Sequence, residues 1–192
     1  MVAALLEAAI RVLVKHGYEA ATTIAIADKA GISVGSLYQY FPNKEAIVAA
    51  LIEQHARQII ACTEAALGQV DVSDPRRALR AVIRAGIEAH RINTPLHKVL
   101  TEQVPRVGRI KAAMDTSKVL TERLAAFLEA HRAHLRGRDP RMAAFVVETV
   151  VEALTHRAVI ERHDALATGE LEVEALELVM TYLFGVPGER RS

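Results

Sequence analysis

The side chains best equipped for polar recognition crowd into the stretch Thr22–Lys44, which holds Thr23, Ser33, Ser36, Tyr38, Gln39, Tyr40 and Lys44. Hydroxyls, one carboxamide and one ammonium in so short a segment suit phosphate oxygens and base edges. Gln39 offers the bidentate geometry that fits adenine, Val34 a methyl contact for thymine, and Ser36 a hydroxyl for either a base edge or a phosphate. Covalent chemistry has no comparable set, because the chain contains no GxSxG, no Gly-rich phosphate loop and no CxxC.

The histidines, eight in all, are the one rival source of chemistry. Glu152, His156 and His163 fall at spacings of four and seven, which would put them on one helix face, and His163-Asp164 has the form of a metal-binding pair. No second cluster supplies the rest of a catalytic site, and His131 and His134 read as solvated. The expectation is therefore a chain with no metal, no cofactor and no catalytic residue. The alternative is a helical small-molecule-binding protein or a metal-dependent enzyme without DNA contacts.

The elements that would position the polar stretch are helices. Leu5, Ala9, Val12 and Leu13 share a face of a first helix over Val2–His16, with Gly17 placed as a left-handed cap. Thr22 is an N-cap for a short second helix with Ile26, Ala27 and Ala30 inward; Gly31 ends it, and Ser33 caps a third. A helix, a tight glycine turn and another short helix form the unit whose second helix enters a DNA major groove. The Ser33 cap brings the positive end of that helix close to phosphate, and the small Gly35 and Ser36 let it sit deep.

Pro42 and Asn43 then break the chain before a long amphipathic helix from Lys44 to about Leu67. Asp74-Pro75, Thr94-Pro95 and Asp139-Pro140 each pair a capping side chain with a first-turn proline and mark three more helix starts. Gly137 closes the segment with Leu120, Leu124 and Leu128, and Gly169 separates a helix over Pro140–Arg162 from a last one at Glu170–Phe184. Residues Pro187–Ser192 read as a polar, frayed tail.

Composition agrees with an all-α fold. Hydrophobic residues make up 51% of 192, Ala, Leu, Glu and Arg dominate, and alternating β-branched runs are missing. Lys plus Arg (24) and Asp plus Glu (23) nearly cancel, so net charge carries no sign of nucleic acid. The lone Cys62 excludes an intrachain disulfide and reads as a structural thiol in a reducing compartment. With no signal-peptide pattern and no apolar run of membrane length, a cytoplasmic protein with no membrane partner is expected.

The stretch TTIAIADKAGISVGSLYQYFPNKEAI resembles the DNA-binding signature of the TetR family of bacterial regulators, in Thr22-Thr23, Ile26-Ala27, Ala30-Gly31-Ile32-Ser33, Gly35, Leu37-Tyr38, Tyr40-Phe41 and Lys44. The resemblance implies an N-terminal three-helix helix-turn-helix domain (residues 1–46) and a C-terminal helical ligand-binding and dimerisation domain (47–186), followed by the tail (187–192). It implies phosphate contacts for Tyr38 and Tyr40, joined by Thr23 and Lys44. Base reading falls to Ile24, Val34, Gly35, Ser36 and Gln39, with no arginine for guanine; alternatively Ile24 and Val34 only pad the fold. Leu37 and Phe41 should pack against Ile26 and the first helix.

Many members carry a basic arm before the first helix, whereas this chain begins at Met1 in the helical pattern. Residues 1–44 set Arg11, Lys15, Lys29 and Lys44 against Glu7, Glu19 and Asp28, one net positive charge. The salt dependence of DNA binding should be shallow.

The resemblance further implies a homodimer built by the last two helices, through Val150 and Leu154 of one and Leu176, Val179, Met180 and Leu183 of the other. The same stripes would also serve as the chain's own core. A small-molecule effector, mostly hydrophobic, is expected among the middle helices, with His90, Leu100, Met114, Leu120, Leu124, Phe127 and Val147 as candidate contacts. The partners expected are thus a double-stranded palindromic operator, a second copy and an unknown effector. A repressor associated with the nucleoid when bound to DNA is the reading.

Overall fold

The computed structural model describes residues 1–91, 93–104 and 106–185, the side chains of 106–115 excepted. Met114 as an effector contact and the tail from Pro187 lie outside the described side chains. Helices follow one another as α1 (Val2–Ala20), α2 (Thr23–Ala30), α3 (Val34–Tyr38), α4 (Lys44–Leu67), α5 (Pro75–Arg91), α6 (Thr94–Glu102), α7 (Arg106–Ala130), α8 (Pro140–Glu161), α9 (His163–Thr168) and α10 (Glu170–Phe184). A single 3-10 turn at Arg132–His134 follows α7, and no strand occurs among the described residues. None of these helices is long and apolar enough to cross a membrane.

The side-chain caps explain most of the boundaries. Thr22 Oγ1 accepts the Ala25 N–H at 3.1 Å, Ser33 Oγ that of Ser36 at 3.1 Å, and Asn43 Oδ1 that of Ala46 at 2.8 Å. Asp74 Oδ1 takes the N–H groups of Arg76 and Arg77, and Asp139 Oδ1 that of Met142. Gly31 sits in the left-handed region (φ 71°, ψ 31°); its N–H reaches Asp28 O, and the Ile32 N–H reaches Ala27 O, which completes a Schellman turn.

Three boundaries differ from the sequence reading. Gly17 (φ 76°, ψ 172°) is not a left-handed cap: it kinks α1, which resumes to Ala20. Asn93, not Thr94, caps α6, accepting the Leu96 N–H at 3.4 Å and leaving Thr94 inside the first turn. The short α9 was not anticipated.

The chain divides into two compact units, residues 1–57 with 93–114, and 58–92 with 115–192. The first unit therefore runs beyond residue 46 and takes in the front of α4 and all of α6. Its core joins Leu5, Ala9 and Leu13 of α1, Ile26 and Ala27 of α2, Leu37 of α3, Phe41, Ile47 and Leu51 of α4, and Leu96, Val99 and Leu100 of α6.

In the second unit, Leu79, Ile83 and Ile87 of α5, Leu128 of α7, Ala143, Val147 and Val159 of α8, and Leu176, Val179, Met180 and Leu183 of α10 make the core. Two arginines secure the end of α10, where carbonyls lack helical partners: Arg138 stacks 4.0 Å from the Tyr182 ring centre and Arg76 4.6 Å from that of Phe184.

Candidate nucleic-acid interface

α2 and α3 are short, and each spends its apolar residues inward. Ile26, Ala27 and Leu37 are at most 1% exposed, and Phe41 is buried beside them. Leu37 and Phe41 thus lie in the core with Ile26 and α1, as the sequence reading expects. The same two helices and the turn after α3 leave Ile24 (64% exposed), Tyr38 (50%) and Tyr40 (46%) in solvent, with Gln39 and Gly35 also exposed. Val34 is half-buried against the core, so it pads the fold over part of its surface.

Hydrogen bonds fix the polar members of this surface in pairs. Thr23 Oγ1 and Tyr38 Oη lie 3.2 Å apart, linking α2 to α3. Only one hydroxyl donates to the other, so the pair keeps one O–H for an outside acceptor. Ser33 Oγ and Ser36 Oγ are 2.9 Å apart, while Ser33 also accepts the Ser36 N–H.

Lys44 is tied inward as well. Its Nζ donates to Tyr18 O at 2.8 Å and stands 4.1 Å from the centre of the Tyr18 ring. The Tyr18 hydroxyl donates to Glu45 Oε1 at 3.2 Å, and burial, reinforced by the Glu45 carboxylate, pushes that phenol above its ordinary value. Sequence reasoning missed this anchor. Tyr18 follows the Gly17 kink, whose N–H-to-Gln103 Oε1 bond (2.9 Å, from Tyr18 N) ties α1 to the end of α6. The only local signal was a tyrosine directly after a glycine.

Positive charge on this unit is partly spent within it. Arg11 pairs with Glu7 one turn back at 3.6 Å, and Lys44 is held as described. The surface is one of hydroxyls, a carboxamide and exposed apolar groups, not of arginines.

The predicted effector contacts divide between the two units. Leu100 of α6 lies in the core of the first unit, with residues of α1 and α4. In the second unit His90 is buried, its Nδ1 2.8 Å from Gly86 O, and burial holds its imidazole below the ordinary value of 6.5. His156 meets it edge-on, ring centres 5.4 Å apart. Val147 is in the core, Leu124 and Phe127 pack half-buried against it, and Leu120 is half-buried. Glu148 and Glu152, one turn apart on α8, are half-buried, and burial raises both carboxyls above their ordinary values. The rival triad does not form on one helix, because α8 ends at Glu161 and His163 opens α9, exposed.

The residues expected at the dimer face divide between buried and half-buried positions. Leu176, Val179, Met180 and Leu183 are 0 to 6% exposed in the single chain, packed onto α8 and α5, so that stripe is the chain's own core. Val150 and Leu154 remain half-buried. The apolar groups left open are Met142 and Phe145 of α8 and Val173 and Leu178 of α10, each more than half exposed.

Residues 5–51 match the model of the bacterial regulatory proteins, tetR family, and residues 74–183 that of the tetracyclin repressor-like C-terminal domain. The transcriptional activator FasR of Mycolicibacterium smegmatis is 31% identical over 68% of this chain and 63% of its own length. The transcriptional repressor KstR of the same species is 28% identical over 62% of this chain. The chain spans about half the length of KstR and under two thirds of FasR. The fold is shared with FadR of Bacillus subtilis, solved in complex with stearoyl-CoA, at a TM-score of 0.71 and 18% identity over 97% of this chain and 100% of that one. With a family model covering more than half its length, the chain belongs to the TetR family of transcription regulators, which are not enzymes.

Proposed function

We propose that this protein is a cytoplasmic repressor that binds a palindromic operator as a homodimer and lets go when a small, mostly hydrophobic effector occupies its second unit. The observation that carries the reading is the split of the α2–α3 segment. Its core side chains are sealed while Ile24, Tyr38, Gln39 and Tyr40 stand in water around a capped helix. A tyrosine pair and an isoleucine left exposed across α2, α3 and the turn after it suit a groove better than a solvated surface. Thr23, Tyr38, Tyr40 and Lys44 take phosphates, and Ser33 holds the helix start. Ile24, Val34, Gly35, Ser36 and Gln39 face the bases.

One recognition helix binds weakly, and two must reach successive major grooves about 34 Å apart, so a second copy is required. The open apolar groups of α8 and α10, with Val150 and Leu154, supply the face for it. For the effector, the apolar setting of Leu124, Phe127 and Val147 and the stearoyl-CoA complex of FadR make long-chain acyl thioesters the first class to test. Repression is favoured over activation, although FasR is an activator, because groove occupancy alone suffices for it.

The test is fluorescence anisotropy with the palindrome from the DNA upstream of the gene. Tyr38→Ala with Lys44→Ala should abolish operator binding while circular dichroism stays helical. Binding that survives in the double variant would place DNA recognition elsewhere, and absence of operator binding by the parent chain would support the alternative of a helical ligand carrier.

A further inference from the structure

A pair of histidines inside the first unit is unused by the DNA surface. His55 lies on α4 and His97 on α6, and His55 Nε2 stands 3.1 Å from His97 Nδ1. The ring centres are 4.9 Å apart with the planes tilted by 59°, so the rings do not stack; one nitrogen edge meets the other. Neutral imidazoles can face each other this way only if one of the two nitrogens carries the proton and the other accepts it. A metal ion takes both lone pairs at once. With metal–nitrogen bonds of about 2.05 Å, a 3.1 Å separation gives a ligand–metal–ligand angle of about 100°, within reach of tetrahedral or octahedral geometry without moving either helix.

We propose that His55 and His97 form a binding site for a divalent transition-metal ion of the zinc type, which clamps α4 to α6 inside the DNA-binding unit. Imidazole donors select zinc, nickel, cobalt or copper over calcium or magnesium. The site is preorganised. His97 is buried in a helix whose Leu96, Val99 and Leu100 are locked in the core with α1, and α6 is further tied to α1 by the Tyr18–Gln103 bond. Half-buried His55 leaves an approach for the ion and for the water that completes its coordination. Because α4 begins at Lys44, directly after the α3 segment, an ion on His55 and His97 fixes the helix that carries the Lys44–Tyr18 anchor.

The test is calorimetric titration of zinc chloride, and absorption titration of cobalt chloride, into the untagged, chelator-treated full chain. The expected result is one ion per chain in the micromolar to submillimolar range. Affinity should fall at least about tenfold in His55→Ala and in His97→Gln, and stay unchanged in the exposed His163→Ala. Cobalt should give ligand-field bands that both ligand variants lose. His55→Ala removes a half-buried side chain, so it decides the matter even where His97→Gln fails to fold. Absence of saturable zinc binding by the parent chain, or equal affinity in His55→Ala, overturns the proposal.

Discussion

Replacing Gly17 by alanine tests the kink on which the Lys44 anchor depends. At φ 76° and ψ 172° the residue occupies a region essentially reserved for glycine, and confining alanine there costs about 1–3 kcal/mol. The added Cβ would also stand 2.7 Å from Gln103 Oε1, the oxygen that accepts the Tyr18 N–H. Gln103 must swing away, and a part-buried N–H loses its acceptor, at about 1–3 kcal/mol. Stiffening of the unfolded chain hurts alanine less than glycine and returns about 0.4–1 kcal/mol. The net expectation is a loss of about 1–5.5 kcal/mol. Urea denaturation followed by circular dichroism, at one fixed protein concentration because the proposed dimerisation would contribute to stability, gives the value at constant slope. Gln103→Ala alone should cost about 1 kcal/mol, and the double variant should fall short of the sum of the two by a similar amount, since the collision disappears with the side chain. A Gly17→Ala protein within about 0.5 kcal/mol of the parent would refute the reasoning, because neither strain nor collision could then be present.

Ser33→Ala removes the α3 cap and should lower stability by about 1 kcal/mol in the same assay, with operator affinity falling further than Thr22→Ala makes it fall. The logarithm of operator affinity against that of salt should have a slope nearer −3 than −10, roughly, as few lysines or arginines are placed to displace counterions. His90 is held below its ordinary 6.5, so the unfolded chain takes up its proton first; stability is full above that value and falls as the pH drops below it. His90→Gln should flatten that fall in thermal melts, whereas Glu148 and Glu152, whose raised carboxyls favour the folded state in acid, act in the opposite sense at lower pH. Phe145→Glu, on the open face of α8, should convert the proposed dimer to a monomer in sizing chromatography, while Met180→Ala should destabilise the chain by about 2–5 kcal/mol, as a core truncation does.

What the sequence made legible was whatever a local rule decides. Thr22, Ser33, Asp74 and Asp139 were recognisable caps because a cap is a bond between a side chain and an amide two or three residues on. Gly31 was recognisable for the same reason. The period of α10 correctly marked one buried stripe, but a stripe does not say which surface buries it, and the chain's own α5 and α8 cover Leu176, Val179, Met180 and Leu183. Helical spacing likewise carries no information about which of two cores receives a helix, so the placement of Leu100 in the first was not legible. Gly17 and Tyr18 were obscure because their reason, Gln103, is 85 residues from Tyr18 along the chain. The His55–His97 pair was invisible on the same ground, its members being 42 positions apart.

These long-range ties bear on how a lysine-poor surface could bind DNA at all. Each polar side chain fixed before binding saves part of the ordering cost that flexible lysines and arginines incur, about 0.5–1.5 kcal/mol for a side chain immobilised at an interface. Here Thr23 holds Tyr38, Ser33 holds Ser36, and Tyr18 holds Lys44 while Glu45 holds Tyr18. In the proposed reading the arrangement exchanges counterion release for preorganisation, and it shifts the burden onto whatever keeps α1, α4 and α6 in register. A lesion at Gly17 or Gln103, remote from the exposed residues of α2 and α3, should therefore weaken operator binding through Lys44 even under conditions where the protein remains fully folded.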